Sequence, residues 1–330
     1  MVSLNIDPRN PRGNPSPEEL TALRVEMVRF TFKAGADQPW LDPTAIRFYR
    51  NHLKALARIG IRALVLLNQE TLPESSITAR AEDWAAYVAQ FADRAAAVAK
   101  VLAPWRPAFQ IWQSPDAESS AATALSEVQF GQLLQASYRA IKRIDSQLQV
   151  IAAGLVSGNP AYLASVVESL AGRFPADAVA VHPYGQRPTV DWPSPWWGAG
   201  NLSDLLTDYQ QTTSLPMWLT EAGVDTLTEA EQAEYLQRLY ETIKTQFSGQ
   251  VEQVFWFCYS DAMASHFGLV DHDGRPKASY KALEQLTGGQ TAAMTARAAA
   301  AVSLDRLHTF ARYLEQRIIF GTIDQTLEQE

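Results

Sequence analysis

Four polar residues accompany apolar runs of the kind that form buried strands, and together their types suit nucleophilic chemistry. Glu221 follows the run MWLT, His182 and Tyr184 follow the run AVAV, and Arg29 lies inside a further apolar run. A carboxylate beside Arg, His and Tyr donors is held ionised and oriented, as a nucleophile must be. Taken alone, Glu221 fits a solvated loop and His182 fits a satisfied core residue. Their joint placement favours a site centred on Glu221.

Other polar and aromatic residues occupy comparable positions, at or just after a strand end. Those expected to contact a substrate are Asn68, Gln113, Trp256 and Asp261. Functional groups of a barrel of parallel strands lie at the carboxyl ends of its strands, so these side chains are expected to share one face of the molecule.

Eight short β-rich runs position these residues, and helical patterns separate the runs. They are Ser3–Asp7, Met27–Phe32, Ile61–Asn68, Phe109–Trp112, Val150–Leu155, Ala178–His182, Met217–Thr220 and Val254–Tyr259. Mostly continuous apolar runs are typical of parallel strands buried on both faces. Eight units favour a closed (β/α)₈ TIM barrel over a doubly wound open sheet, and neither GxGxxG nor GxxxxGK[ST] occurs.

The predicted helices carry their own start and stop signals. The helix after the second strand begins at Asp42-Pro43 and ends before Gly60, and its buried face is Ile46, Tyr49, Leu53 and Leu56. Capping-box spacing marks two further helix starts, Ser126 with Gln129 and Thr228 with Glu231.

Composition narrows the classes of partner. The 330 residues are 47% hydrophobic, and the formal net charge is −8 with scattered Lys and Arg, which disfavours nucleic acid or an anionic membrane as partner. The lone Cys258 excludes an intramolecular disulfide framework, and no cofactor or metal is expected. The N-terminus carries no signal-peptide pattern, so a cytoplasmic location is expected, or an extracellular one for a fragment of a longer secreted protein.

The pattern changes after Gly288. Residues 1–288 are predicted to form the barrel and 289–330 a C-terminal helical extension, in which Leu304, Leu307, Ala311, Leu314 and Ile318 form a heptad stripe. The ordinary interpretation is a helix packed on the barrel. The alternative is a self-association helix or a connection to a further domain.

Several segments resemble the clan A glycoside hydrolases, and the resemblance covers residues 3–287. The most specific are AVAVHPYG at 178–185, MWLTEAG at 217–223, and VFWFCYSDA with FGLVDHDGRPKASYKAL in 254–283. The resemblance implies that Glu221 is the nucleophile of a retaining O-glycosidase, that Arg29 and Tyr184 contact it, and that His182 lines the binding site. It also implies that Trp256 is the platform beneath the sugar.

The segment FQIWQSPD at 109–116 is similar to WEIWNEPN of that family, with two departures. Gln113 stands in place of Asn, and Ser114 stands in place of the acid/base Glu. A retaining glycosidase needs two carboxyl groups about 5 Å apart, and serine cannot be the acid. The replacement acids considered are Asp116, Glu118 and Glu70.

Three tryptophans follow the sixth strand, Trp192, Trp196 and Trp197, where indole rings could stack on an oligosaccharide or polysaccharide. The equally weighted alternative is an apolar lid. Two functions therefore stand side by side. One is a retaining hydrolase with a missing or displaced acid/base, and the other is an inactive barrel that binds glycans or targets attached domains. An architectural role through the C-terminal helix ranks third.

Overall fold

The computed structural model describes residues 2–33, 41–72, 80–117, 123–156, 160–184, 201–225 and 228–288. The predicted C-terminal helix of 289–330 lies outside them.

Eight parallel strands in the described residues form one sheet that curves into a barrel. They are β1 Ser3–Asn5, β2 Met27–Thr31, β3 Arg62–Leu67, β4 Ala108–Ile111, β5 Val150–Ile151, β6 Val179–Val181, β7 Met217–Ala222 and β8 Val251–Trp256. The order is β5-β4-β3-β2-β1-β8-β7-β6, and the isolated parallel bridges Ile151 to Ala178 and Leu155 to Val181 join its two edges. The prediction of a (β/α)₈ TIM barrel is confirmed.

A helix follows each strand. The helices are α1 Pro17–Ala22, α2 Pro43–Arg58, α3 Trp84–Leu102, α4 Glu127–Ile144, α5 Ala161–Ser169, α6 Leu202–Thr212, α7 Glu229–Gln246 and α8 Ala278–Thr287. In the described ranges, every helix is too short or too polar to span a lipid bilayer.

The helix punctuation follows the sequence signals. Asp42 caps α2 by accepting a hydrogen bond from the Thr44 amide, and Gly60 after the helix has φ +74°, a value that glycine adopts at little cost. At the start of α4, Ser126 and Gln129 form the reciprocal capping box. These contacts satisfy backbone amides that a helix start leaves without partners.

The barrel interior has an apolar layer near the amino ends of the strands and a polar layer above it. The apolar layer includes Met27, Leu64, Ala108, Ala180, Trp218 and Phe255, all almost fully buried. Side chains two residues apart on a strand share a face. Residues two positions further on are Arg29, Gln110, His182 and Thr220, and each is also buried. The strands thus carry the polar layer at the carboxyl end of the barrel.

Candidate functional site

Glu221 enters the polar layer through an irregularity in β7. Leu219 pairs with Val254, but the next pairing joins Ala222 to Trp256, so β7 contains one residue more than β8 between these pairs. An extra residue of this kind re-aims neighbouring side chains. Thr220 and Glu221 consequently both contact His182, although adjacent strand residues normally point to opposite faces.

Three side chains surround the Glu221 carboxylate. Arg29 Nη1 donates to Oε1 at 2.7 Å, Tyr184 Oη donates to Oε2 at 2.9 Å, and His182 Nδ1 lies 3.5 Å from Oε2. The side chain of Glu221 retains 13% exposure, whereas that of His182 has none. The carboxylate is therefore oriented by a donor to each of its oxygens, and it remains accessible from a neighbouring cavity.

The balance of forces at Glu221 favours the ionised form. Burial opposes the charge, but attraction to His182 in its protonated form and to Arg29 outweighs burial and lowers the pKa of Glu221 below its ordinary value. Hydrogen bonds from Tyr184 and Arg29 act in the same direction. Because burial keeps His182 uncharged near neutral pH, the positive charge that acts there is that of Arg29.

Arg29 is itself held in place by two amide side chains. Its Nη1 also donates to Asn5 Oδ1 at 2.7 Å, and its Nε donates to Gln110 Oε1 at 2.8 Å. Asn5 in turn donates to the carbonyl of Thr220, next to Glu221, at 2.9 Å. The guanidinium, 4% exposed, thus connects β1, β2, β4 and β7 beneath the carboxylate.

His182 is positioned by a close backbone approach. Its Nε2 lies 2.9 Å from Thr220 Oγ1, and a Cβ atom at Gly154 would collide with the imidazole ring. Burial lowers the pKa of His182 to about 4, although the negative charge of Glu221 opposes this shift. His182 therefore contacts Glu221 as a neutral imidazole at pH 7.

Tyr184 stands against two phenylalanines. Its ring packs edge to face on Phe257 and Phe267, with centroid distances of 5.6 and 5.7 Å. Burial and the neighbouring charge of Glu221 raise the pKa of Tyr184 well above its ordinary value. The phenol consequently remains a hydrogen-bond donor to Glu221 throughout the physiological pH range.

The chain after β4 has unusual backbone geometry. Trp112 and Ser114 have φ values of +71° and +47°, in the left-handed region that non-glycine residues rarely adopt. The Ser114 amide donates to the Gly154 carbonyl at 2.8 Å, and Gln113 forms a bridge to the same residue. Non-glycine residues in this region persist only where surrounding contacts hold them, often at functional sites.

A cavity of about 250 Å³ opens beside Glu221. Of the sequence-predicted residues, Arg29 and Gln113 line it together with Glu221. Sequence reasoning missed other lining residues, namely Asp7, Asn10, Lys33, Phe257 and Met263. Asp7 ends the predicted first strand and Lys33 follows the second, so inspection of every strand end would have found these two.

Trp256 does not lie where a sugar could stack on it. It is fully buried, its ring is 6.4 Å from that of Tyr235, and its Nε1 donates to the Phe267 carbonyl at 3.2 Å. The next residue, Phe257, lines the cavity instead. The expectation of a Trp256 platform is therefore corrected.

Asn68 and Asp261 also have structural contacts in place of the expected substrate contacts. Asn68 is fully buried and caps the 3₁₀ turn Gln69–Thr71. Asp261 pairs with Lys277 at 3.2 Å and accepts a hydrogen bond from the Gly268 amide at 2.8 Å. These contacts hold the loops after β3 and β8.

Two of the three replacement acids considered are engaged elsewhere. Both oxygens of Asp116 lie 3.1 Å from the Val156 amide, and Glu70 lies 3.5 Å from Lys33 Nζ with 44% exposure. Neither lines the cavity beside Glu221. Glu118 lies outside the described residues, as do Trp192, Trp196 and Trp197.

The described ranges contain no cluster of three or more His, Cys, Asp or Glu side chains that could hold a metal ion. At the barrel mouth, the described residues provide an oriented carboxylate, the side chains that donate hydrogen bonds to it, and a small cavity with polar lining. An ionised carboxylate at the carboxyl end of a barrel strand can act as a nucleophile or a general base.

The structure is a (β/α)₈ barrel with an oriented carboxylate at the carboxyl end of its strands, and comparison with known families identifies the family. The family model described as glycosyl hydrolase catalytic core matches residues 88–282. The chain belongs to this family.

Solved structures share the fold at low sequence identity. A β-glucosidase, 1317, is 18% identical with a TM-score of 0.64, and the match covers 84% of this chain and 88% of that one. The exo-β-1,4-mannosidase Op5Man5 from Opitutaceae bacterium strain TAV5 is 17% identical with a TM-score of 0.64, over 90% of this chain but only 60% of that one. A GH5_18 protein from Streptomyces cattleya, solved with GlcNAc, is 18% identical with a TM-score of 0.64, over 87% and 79% of the two chains. The search of curated proteins gave no match.

Proposed function

We propose that this chain hydrolyses O-glycosidic bonds with retention of configuration, with Glu221 as the nucleophile and without a carboxylate at position 114. The observation that carries the proposal is the Glu221 carboxylate, held by Arg29 at 2.7 Å and Tyr184 at 2.9 Å beside a cavity. Membership of the glycosyl hydrolase family and neighbours that include a β-glucosidase and an exo-β-1,4-mannosidase support carbohydrate as the partner.

In this mechanism, Glu221 attacks the anomeric carbon and displaces the leaving group, and water then hydrolyses the glycosyl-enzyme ester. Arg29 and Tyr184 keep the carboxylate ionised and aimed at the cavity before attack. When the ester forms, Glu221 loses its negative charge and Arg29 loses its counter-ion. Because His182 is neutral, no second positive charge is then left without a counter-ion in the buried site. Ser114 cannot protonate the departing oxygen, so leaving groups that depart as stable anions should react best.

Aryl glycosides with different leaving groups test this proposal. The substrates are β-linked glucosides, mannosides, galactosides and xylosides. For each sugar, the 2,4-dinitrophenyl glycoside should release its phenol at least ten times faster than the 4-nitrophenyl glycoside does. Glu221→Gln should abolish release, whereas Glu241→Gln on the exposed face of α7 should not change it. Release that survives Glu221→Gln would overturn the assignment of the nucleophile.

Restoring the missing group gives a second arm of the test. Ser114→Glu places a carboxyl group at the position of the family's acid/base and should raise the rate with 4-nitrophenol more than with 2,4-dinitrophenol. An equal effect on both leaving groups would show that position 114 does not face the departing oxygen.

A glycan-binding barrel without turnover is the second candidate function, favoured by the Gln113-Ser114 pair at the end of β4. It predicts sugar binding with no release from any aryl glycoside. Three further proposals accompany either function. They are the domain division at residue 288, a role for Trp192, Trp196 and Trp197 in glycan binding, and self-association through the C-terminal segment.

A further inference from the structure

The cavity beside Glu221 contains a second carboxyl group that the catalytic proposal does not use. Asp7 and Glu221 are the two acidic residues among the described residues that line the cavity. Asp7 lies two residues beyond Asn5, and residues at this spacing on an extended strand project to the same side, roughly 7 Å apart along the strand. Since Asn5 contacts Arg29, Asp7 lies one layer further toward the carboxyl end of the barrel, where it lines the cavity with Glu221.

The Asp7 carboxylate is fixed as a hydrogen-bond acceptor. Its Oδ1 accepts from the Arg9 amide at 3.0 Å, and its own amide donates to the Gly13 carbonyl at 2.9 Å. The Asn10 amide donates to the Asp7 carbonyl at 3.0 Å. A carboxylate whose orientation is set by the backbone can present its two oxygens to adjacent hydroxyl groups of one sugar ring.

Groups of complementary character line the same cavity. Lys33 contributes an ammonium donor that is 37% exposed and lies 3.5 Å from Glu70. Phe257 and Met263 contribute apolar surface suited to the C–H face of a sugar. An apolar wall holds one face of the ring, and a fixed acceptor and donor then match only certain hydroxyl positions. This combination can distinguish a sugar from its epimers.

The loop from Asp7 to Gly13 forms the β1 side of the cavity. Asn10 Nδ2 donates to the Ala262 carbonyl at 3.2 Å, and Arg9 Nη2 donates to the Lys33 carbonyl at 3.1 Å, so the loop is tied to both neighbouring strand ends. A Cβ atom at Gly13 would lie 2.8 Å from Met263 Cγ, which shows how closely the loop packs there. The volume of about 250 Å³ is below the range of about 300–1,000 Å³ typical of pockets for larger ligands.

We propose that Asp7 and Lys33 select the sugar whose anomeric carbon faces Glu221, with Asp7 accepting hydrogen bonds from two adjacent ring hydroxyls and Lys33 donating to a third oxygen. This inference rests on the proposed function for the position of the scissile bond. The sugar contact itself does not require turnover.

Calorimetric titration tests the sugar contact directly. The probes are the methyl β-glycosides of glucose, mannose, galactose, xylose and GlcNAc, added to wild type, Asp7→Asn, Lys33→Met and the control Asp93→Asn, which alters an exposed acid on α3. At least one probe should bind wild type and the control equally. Asp7→Asn should weaken that binding about 10- to 100-fold, as expected for loss of hydrogen bonds to a charged acceptor. Circular dichroism melts establish that each variant is folded.

Modified forms of the bound probe complete the test. O-methylation of a recognised hydroxyl, which removes its hydrogen-bond donor, should weaken binding at least tenfold in wild type and much less in Asp7→Asn. No saturable binding of any probe, or equal binding by wild type and folded Asp7→Asn, overturns the inference. If sugar binding depends on Asp7 but no reaction occurs at Glu221, the sugar contact is supported and only the proposed hydrolysis is contradicted.

Discussion

Arg29 Nη1 donates to Oε1 of Glu221 over 2.7 Å, and the two side chains are 4% and 13% exposed. This pair joins β2 to β7 across the barrel interior. In water, such a pair contributes little to stability, but at this depth the removal of one partner leaves an uncompensated charge. The same contact therefore affects both folding and the ionisation of the carboxylate.

Arg29→Met should lower the free energy of unfolding by about 3 kcal/mol at pH 7, because Glu221 loses its cation while remaining buried. In the double variant Arg29→Met/Glu221→Gln, the total loss should be smaller than the sum of the single losses by about 1–3 kcal/mol. Urea denaturation of the four proteins gives this coupling energy. Strictly additive losses would show that the pair is not coupled.

Tyr184→Phe removes one hydrogen bond to Glu221 but preserves the ring that packs on Phe257 and Phe267. We expect kcat/KM for a dinitrophenyl glycoside to fall about 10- to 100-fold. The acidic limb of its pH profile should move to higher pH, because the lost donor had lowered the pKa of Glu221. Tyr240→Phe, at a partly buried tyrosine that donates to the Val254 carbonyl, is the control. An unchanged acidic limb would contradict the role assigned to Tyr184.

His182 should make the protein less stable in acid. Burial lowers its pKa from 6.5 to about 4, so between these values the unfolded chain binds a proton that the folded chain does not. The free energy of unfolding should therefore fall as the pH drops through this window, by about 3 kcal/mol at pH 4 from this residue. His182→Gln should flatten part of the decline.

The remaining slope has an identified source, since burial also lowers the pKa of His52 to about 4. His272→Gln, at an exposed position, is the control and should leave the slope unchanged. Denaturation curves between pH 7 and pH 4 provide the measurement. A slope that His182→Gln does not alter would mean that the imidazole is already protonated in the folded protein.

Asp261 should matter for stability and not for substrate binding. Its pair with Lys277 has side-chain exposures of 11% and 8%, so Asp261→Ala should cost about 3 kcal/mol by stranding the ammonium. Asp261→Ala/Lys277→Met should recover part of this loss. For either folded variant, KM for a dinitrophenyl glycoside should stay within about twofold of wild type. A KM increase of tenfold or more would restore the sequence-based assignment of Asp261 to substrate binding.

Strand and helix positions were largely predictable because local signals specify them. Asp42 and Gly60 bracket α2, and the apolar runs coincide with six strands to within two residues at each end. Of the predicted run Val150–Leu155, only Val150–Ile151 is β-strand. The eighth strand begins at Val251, three residues before the predicted start. The prediction missed this part of the strand because Glu252 and Gln253 are polar and interrupt the apolar run. These two residues bond to Trp218 Nε1 and Ser3 Oγ on neighbouring strands, a tertiary pairing that local hydropathy does not show.

The site was predictable in part. Strand-end position directed attention to Glu221, Arg29, His182 and Tyr184, and the structure brings these four side chains into contact. It could not show the extra residue in β7, since a one-residue irregularity leaves no periodic trace in MWLTEAG. It also failed at Trp256, because the continuous apolar run VFWF has no alternation to indicate that Phe257 faces the cavity.

Covalent trapping of the nucleophile tests the central claim most directly. Wild type is incubated with 2-deoxy-2-fluoro glycosides of several sugars that carry a dinitrophenyl leaving group, which need a nucleophile but little acid assistance, and peptides are analysed by mass spectrometry. We predict one fluoroglycosyl group on the peptide that contains Glu221, and none in Glu221→Gln. Absence of labelling across the panel, or labelling of another residue, would contradict a nucleophilic Glu221.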